Sequence, residues 1–229
     1  MPSLAKLVAP LAILAASAAG LPARNTAAAA AVARTAEVVV TARDTPACPS
    51  DPNSRVRVWA DEIYSLFPLA PDHKSAATQD LNVQYHNETR QAIKQVAVFR
   101  GFPSVATGCA FGWQQEAPTD GVIVTGGDGY LAARQLAGGF PASTGVASDG
   151  GVSLNDVAPF DSLGAASEFH PDFTNWDQST AAQNHTSGPG VIECADAIAL
   201  VFEKATTKTG HVYLKKTANA GIFIDYTCA

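Results

Sequence analysis

Apolar and polar residues alternate along short stretches of the chain from residue 56 onwards. Successive side chains of a strand point to opposite faces, so this period of two is typical of a sheet with one buried face. Turn-forming residues bound each stretch, as in the segments APTDG, TGGDG and TTKTG. We therefore predict strands at residues 56–60, 93–102, 108–116, 121–126, 129–136, 196–205, 210–216 and 221–228.

Short strands at this spacing predict an all-β fold, either an antiparallel β-sandwich or a jelly roll. The segment TANA, residues 217–220, separates the last two strands and favours a hairpin between them. Residues 61–67, DEIYSLF, fit one or two helical turns and fit a continuation of the first strand equally well.

Residues 137–190 are rich in Gly, Ala, Ser and Asp and contain few periodic stretches. We interpret this region as extended loops with one short strand at most. A loop of this length in a compact domain is either functional or contains secondary structure that the pattern does not reveal, and the second case is the commoner one.

The start of the chain is typical of a secreted protein. Lys6 precedes an apolar run from Leu7 to Gly20 that is too short to span a bilayer and ends in small residues. Residues 1–20 therefore predict a secretory signal peptide, with a buried N-terminal helix as the alternative. The Ala-rich residues 21–47 predict a flexible spacer or propeptide, or else a frayed helix. Residues 48–229 are enough for one domain with its own core.

The overall charge excludes some classes of partner. The chain carries a formal net charge of −6 and few lysines, which argues against binding nucleic acid or an anionic membrane. After the signal, no segment is apolar over about 18 residues, so we predict no membrane span. No motif for a metal ion or a phosphate-bearing cofactor is present, and we expect neither.

Four cysteines, an even number, predict two disulfides in a secreted chain, with three possible pairings. Cys109, Cys194 and Cys228 each fall in register with the apolar side of a predicted strand. Cys48 lies instead in a proline-rich turn region at the start of the domain. We favour Cys109–Cys194 across the core and Cys48–Cys228 joining the two ends of the domain.

The segment EFHPDFTNWD, residues 168–177, is the densest cluster of reactive side chains. His170 and Asp172 are two residues apart, so in a strand they would lie on the same side and could bind a ligand. Trp176 is the least constrained of the three tryptophans and could stack on a sugar ring. The alternative, which we favour, is a loop whose aromatic residues fill the core while the charged residues face water.

Two further features bear on function. The triplets NET at Asn87 and NHT at Asn184 are acceptor sites for N-glycosylation, although such triplets also arise by chance. A glycoside hydrolase would need two carboxyl groups, one of them with a raised pKa. The sequence offers many acidic residues and selects no pair among them, so we assign no catalytic residue.

Several segments together resemble a fungal secreted family, the C-terminal domain family named after the But-two protein and described as binding the Uba-three subunit of a ubiquitin-like activating enzyme. The resemblance covers residues 55–228 and rests on the order of the segments and on the cysteine positions. It implies a signal-bearing, β-rich fungal protein of unassigned activity and supplies no catalytic residues. Its namesake partner is intracellular, so we do not transfer that interaction. The segments are SLFPLAP (65–71), VAVFRGFP (96–103), CAFGW (109–113), GPGVIECADAIALVFE (188–203) and GIFIDYTC (221–228).

The sequence thus favours a non-enzymatic protein, secreted or associated with the cell wall, whose partner is a cell-wall polysaccharide or an extracellular protein. The first alternative is a secreted glycoside hydrolase that uses carboxyl groups. The second is a secreted effector that binds a host protein.

Overall fold

Antiparallel strands build almost all of the computed structural model, which describes residues 48–49, 54–117, 122–125, 127–138, 140, 151–161, 168–178, 181–187 and 191–229. The predicted signal peptide and spacer, residues 1–47, lie outside the described residues. The strands are β1 (Val56–Trp59), β2 (Glu62–Leu66), β3 (Leu81–His86), β4 (Gln91–Arg100), β5 (Ala106–Gln115), β6 (Val122–Thr125), β7 (Leu131–Gln135), β8 (Gln183–Thr186), β9 (Ala197–Lys204), β10 (Gly210–Leu214) and β11 (Gly221–Cys228).

Two sheets face each other. The first has four strands in the order β1-β11-β5-β8, and the second is curled, with the order β6-β10-β3-β4-β9-β7 and with β2 also paired to β4. The predicted antiparallel β-sandwich is therefore confirmed. The chain passes between the sheets at two consecutive residues, since the Ala60 amide donates to Ile222 of β11 and the Asp61 amide donates to Val98 of β4.

The long strand β4 joins the two halves of the curled sheet. Its first residues pair with β3, and residues 94–98 pair with β2. The buried Gln95 side chain bridges these strands, because its amide donates to Ser65 Oγ (3.3 Å) and to the Asp80 carbonyl (3.4 Å) and accepts from the Asn82 amide. A buried amide is tolerated here because its hydrogen-bonding capacity is used.

All eight predicted strands are present; the last has the predicted bounds, and the others have shifted ends. Residues 62–66 form a strand and not a helix, but β2 is not a continuation of β1, because the two strands belong to different sheets. The predicted hairpin between the last two strands is wrong, since β10 pairs with β3 and β6 while β11 pairs with β1 and β5. The segment TANA therefore crosses between the sheets. The pattern did not reveal β3 or β8.

The inner core lies between the two sheets. It contains the apolar residues on the inward faces of both sheets, among them Phe111, Trp113, Leu131, Phe202 and Tyr226. Phe111 contacts the rings of Phe169 and Phe202, each with a centroid distance of 5.3 Å. Aromatic side chains from both sheets thus fill the centre of the sandwich.

A second cluster of buried apolar residues covers the opposite face of the curled sheet. Strands β2, β4 and β9 contribute Tyr64, Leu66, Val96, Val98, Ala199 and Val201, and the covering chain contributes Leu136, Phe140, Val152 and Val157. The cover includes a one-turn helix, α1 (Leu154–Val157), followed by a 3-10 turn, Ala158–Phe160. Ser153 and Asp156 form a capping box at the start of α1. The region interpreted as loops therefore contains regular structure that packs on the sheet.

Both disulfides have the favoured pairing, Cys48–Cys228 and Cys109–Cys194. Cys109 is fully buried in the inner core, and Cys194 and Cys228 pack against that core from partly buried positions. One bond crosses the interior, and the other ties the start of the domain to the last strand.

Candidate functional site

The predicted cluster forms the outer edge of the curled sheet. Its residues 168–173 run antiparallel to β7, with Phe169 opposite Ala133 and Asp172 opposite Tyr130. Backbone hydrogen bonds of 2.8–3.0 Å join this edge segment to β7. The segment extends the sheet although it is too irregular to count as a full strand.

Side chains of the edge segment alternate between the core and solvent. Phe169, Pro171 and Phe173 are buried, whereas Glu168, His170 and Asp172 are exposed. The structure thus places His170 and Asp172 on the same side, as an extended chain requires. It also realises the favoured alternative, because the aromatic residues of the segment fill the core while its charges face water.

Tyr130 is a further exposed residue beside this segment, and the sequence did not single it out. Together with Glu168, His170 and Asp172 it forms what is called here the exposed group. The Tyr130 ring stacks on the His170 imidazole with a centroid distance of 5.3 Å and an interplanar angle of 7°. The side chain is 37% exposed, which makes it one of three large hydrophobic residues that face solvent within the described ranges. Tyr130 directly precedes β7, and an aromatic residue before a predicted strand is too common a signal to identify a site.

The turn before Tyr130 depends on a glycine. A Cβ on Gly129 would lie 2.4 Å from backbone atoms of Phe173 and Thr174, so only glycine allows the two chain segments to approach this closely. The Asp172 carboxylate accepts a hydrogen bond from the Thr174 amide (2.8 Å), and the Thr174 hydroxyl accepts one from the Gly129 amide (3.0 Å). These contacts fix the end of the edge segment against β7.

A chain of ion pairs runs from the exposed group to the middle of the curled sheet. Arg134 of β7, only 1% exposed, donates to both oxygens of Asp161 and to Glu203 Oε1 (2.6 Å). Its guanidinium also lies 3.9 Å from Glu168, whose other oxygen is 3.3 Å from His170 Nε2. Glu203 pairs in turn with Lys94 of β4. The buried Arg134 thus links the surface residue Glu168 to the partly buried carboxylates of Asp161 and Glu203.

Two groups of this network, Arg134 and Glu203, have pKa shifts that favour their ionised forms. The hydrogen bond to Asp161 raises the pKa of Arg134, against the opposing effect of burial. Burial alone would raise the pKa of Glu203, but hydrogen bonds from Lys94 and Arg134 outweigh it and lower that pKa. The marked pKa shifts of carboxyl groups are all downward, also at Glu116 and Asp128. A glycosidase needs a general acid with a raised pKa, so these three carboxyl groups are unsuited to that role.

Trp176 lies apart from the exposed group. It belongs to the 3-10 turn Trp176–Gln178 and is half-buried, with its ring against Trp113 (5.3 Å) and Phe173 (6.3 Å). Trp113 also contacts the exposed His185 of β8, with a distance of 4.3 Å between the ring centroids. His170 and Asp172 therefore share a surface with Tyr130 and Glu168, and Trp176 closes the edge of the inner core.

Both predicted glycosylation acceptors are exposed. Asn87 lies in the turn between β3 and β4, where its backbone amide donates to Thr209 Oγ1 (3.0 Å) and its side-chain oxygen accepts from the same hydroxyl (2.6 Å). Asn184 lies in β8, at the edge of the four-stranded sheet. Neither position is near the exposed group on β7.

In the described part of the chain, no three residues among His, Cys, Asp and Glu are placed to hold a metal ion. No helix in these same ranges combines the length and the apolar character that crossing a membrane requires. No family model, curated protein or solved structure matches this chain. The resemblance to the But-two C-terminal domain family therefore stays a prediction.

Proposed function

We propose that this protein is a non-enzymatic extracellular protein that binds polysaccharide through Tyr130, Glu168, His170 and Asp172, called here the edge surface. The observation that carries the proposal is the exposed Tyr130–His170 stack with a carboxylate on either side of His170 along the segment. The apolar face of a pyranose ring packs on aromatic side chains, and its hydroxyl groups donate to carboxylate oxygens. The edge surface presents both kinds of group together.

Rigidity supports the same function. Backbone hydrogen bonds hold the edge segment on β7, and Arg134 anchors Glu168 from below. Binding residues that are fixed before the ligand arrives lose little conformational entropy on binding. Sites of this kind also favour repetitive ligands such as polysaccharides, because each sugar unit can offer the same hydroxyl pattern.

An extracellular location accords with the two disulfides, since disulfides persist in oxidising compartments and are rare in the cytosol. The predicted signal peptide of residues 1–20 points to the same compartment. Binding is favoured over hydrolysis because the described carboxyl groups with a marked pKa shift, Glu116, Asp128 and Glu203, all have a lowered pKa, whereas hydrolysis needs a general acid with a raised one.

Co-sedimentation of the secreted protein with a panel of insoluble polysaccharides tests the proposal. We expect at least one of them to retain the protein, and the variant Tyr130→Ala/His170→Ala to lose at least ten-fold in affinity. His185→Ala removes an exposed imidazole of β8, outside the edge surface, and serves as the control. Unchanged retention of the double variant, or no retention by any polysaccharide, would overturn the proposal. Release of soluble sugar that Glu168→Gln or Asp172→Asn abolishes would support the hydrolase instead.

A further inference from the structure

A groove of about 460 Å³ lies on a different part of the curled sheet from the edge surface. One wall is the connection that follows β2, and the other is the β3–β4 hairpin. This volume is within the range of about 300–1,000 Å³ that is usual for small-molecule sites. The lining residues are Phe67, Leu69, Ala70, His73, Gln84, His86, Gln91, Ala92 and Ile93.

The wall after β2 is held in place. The Phe67 ring meets the His73 imidazole edge-to-face at 5.0 Å, and successive turns join Ala70 to Phe67 and His73 to Ala70 with hydrogen bonds of 2.9 Å. The neighbouring Asp72 accepts a hydrogen bond (2.6 Å) from the side chain of Asn155, which belongs to α1. The groove is therefore a formed site and does not depend on an ordering step.

Leu69 is the most exposed large hydrophobic residue that the structure describes, at 68%. It lines the groove together with the partly buried Phe67 and Ile93. Leaving a leucine this open to water gains nothing for folding, whereas covering it with an apolar ligand would remove that surface from water at about 25 cal/mol per Å².

The described lining of the groove has polar groups but includes no Lys, Arg, Asp or Glu. The polar groups are the imidazoles of His73 and His86 and the side-chain amides of Gln84 and Gln91. Imidazole and amide groups can both donate and accept hydrogen bonds, so they suit a hydroxyl or carbonyl group. Among the described residues, the lining supplies no lysine or arginine for a carboxylate or phosphate and no aspartate or glutamate for an ammonium group.

We propose that the groove binds an uncharged amphipathic small molecule, with an apolar body against Phe67, Leu69 and Ile93 and a hydroxyl or carbonyl group facing the imidazoles and amides. A long-chain alcohol and a sterol both belong to this class. The site is independent of the edge surface. A neighbouring groove of about 300 Å³ shares Gln84, Ala92 and Ile93 and includes Arg90, so an anionic amphiphile with its head group at Arg90 is the competing outcome.

Isothermal titration at pH 7.5 with dodecanol, dodecanoate and dodecyltrimethylammonium tests the charge preference directly, because the three ligands share one alkyl chain. We expect dodecanol to bind at least ten-fold more tightly than either ion. Leu69→Asp should weaken dodecanol binding at least ten-fold. Val105→Asp places the same charge at another exposed aliphatic residue, 47% exposed, and should leave binding unchanged.

Three results would overturn this inference. One is the absence of dodecanol binding to protein whose circular-dichroism spectrum shows the native fold. Another is tighter binding of dodecanoate that Arg90→Gln abolishes, which would assign the site to an anionic amphiphile. The third is an equal effect of Leu69→Asp and Val105→Asp, since only one of the two residues lines the groove.

Discussion

The curled sheet is covered by apolar side chains on both faces, and the two layers are built differently. On one face the inner core packs strand against strand, is rich in aromatic residues and is crossed by Cys109–Cys194. On the other face the second cluster packs strands against α1 and irregular chain and is largely aliphatic. Its margin is a set of ion pairs around Arg134 and not a disulfide.

The difference shows how one strand can serve two layers. In β4 the alternate residues Ala97 and Phe99 belong to the inner core, while Val96 and Val98 belong to the second cluster. A strand that is buried on both faces reads as a continuous apolar run, not as an alternating one. The inner core thus forms where the two sheets pack on each other. The second cluster forms where α1 and irregular chain pack on the opposite face of the curled sheet.

Removing the cross-link of the inner core should have the largest effect on stability. The variant Cys109→Ala/Cys194→Ala frees a loop of 85 residues, for which chain-entropy arguments give a loss of about 4–5 kcal/mol as an upper value. Denaturant unfolding of the secreted protein measures this loss. A decrease below about 1 kcal/mol would show that packing alone specifies the inner core, as it does in the second cluster.

Breaking the charged margin of the second cluster should also be costly. Arg134→Met leaves the carboxylates of Asp161 and Glu203 without their buried partner. Breaking a fully buried ion pair costs about 3–5 kcal/mol, and we expect the lower end of this range because both carboxylates are partly exposed and Glu203 keeps its pair with Lys94. Denaturant unfolding again provides the measurement.

The matched control for Arg134→Met is the triple variant Arg134→Met/Asp161→Leu/Glu203→Leu, which removes all three charges. It should recover part of the loss, because replacing buried ion-pair partners together by apolar residues is often neutral, while Lys94 keeps its charge and loses its pair with Glu203. A triple variant as unstable as Arg134→Met would mean that the lost packing of the arginine side chain matters more than its charge.

A matched pair of truncations compares the two layers directly. Leu131 is fully buried in the inner core, and Leu136, five residues later, is 5% exposed in the second cluster. Leu→Ala substitutions cost about 2–5 kcal/mol, depending on how far the surroundings can relax into the cavity.

We expect Leu131→Ala to lie at the upper end of this range and Leu136→Ala at the lower end. The sheets that enclose Leu131 are fixed by their ladders, whereas Leu136 belongs to the covering chain, which can move inwards. Chemical denaturation of the two variants measures the difference. Equal losses, or a larger loss for Leu136→Ala, would contradict the idea that the second cluster is the more adaptable layer.

Most of the fold could be predicted because the inner core obeys period two. The face shared by Cys109, Phe111 and Trp113 predicted both the strand and the buried position of the sulfur, and the favoured disulfide pairing followed. The wrong hairpin between β10 and β11 shows the limit of this reasoning. From a short connection with turn-forming residues, one cannot infer whether the next strand pairs in the same sheet or belongs to the other sheet.

The remaining features depend on contacts between residues far apart in sequence. The cover of the second cluster contains too few apolar residues per turn to show a helical period, and β8, with the sequence QNHT, has no apolar side at all. Of the candidate site, His170 and Asp172 were placed on one side correctly. Tyr130 and Arg134 were missed because they join the site only through the pairing of β7 with residues 168–173.

The smallest predicted effect is a difference between the two layers in how the free energy of unfolding depends on pH. The pKa of Glu203 is lowered from its ordinary value of 4.5 in the folded protein. Its contribution to stability is therefore fully present above the unfolded-state pKa and is lost as the pH falls through the folded-state value. Glu203→Gln lacks this contribution at every pH, so its deficit in the free energy of unfolding should shrink between pH 7 and pH 3.

Leu131→Ala changes no titrating group, so its deficit should be the same at both pH values. The contributions of Asp128 and Glu116, whose pKa values are also lowered, are present in all these proteins and cancel in each difference. Glu88→Gln, in the exposed turn between β3 and β4, controls for the loss of one surface carboxylate. Denaturant unfolding at the two pH values gives the deficits. If the deficit of Glu203→Gln stayed constant, the ion pairs around Arg134 would not be what holds the second cluster, and the contrast between a charge-bounded layer and a cross-linked one would fail.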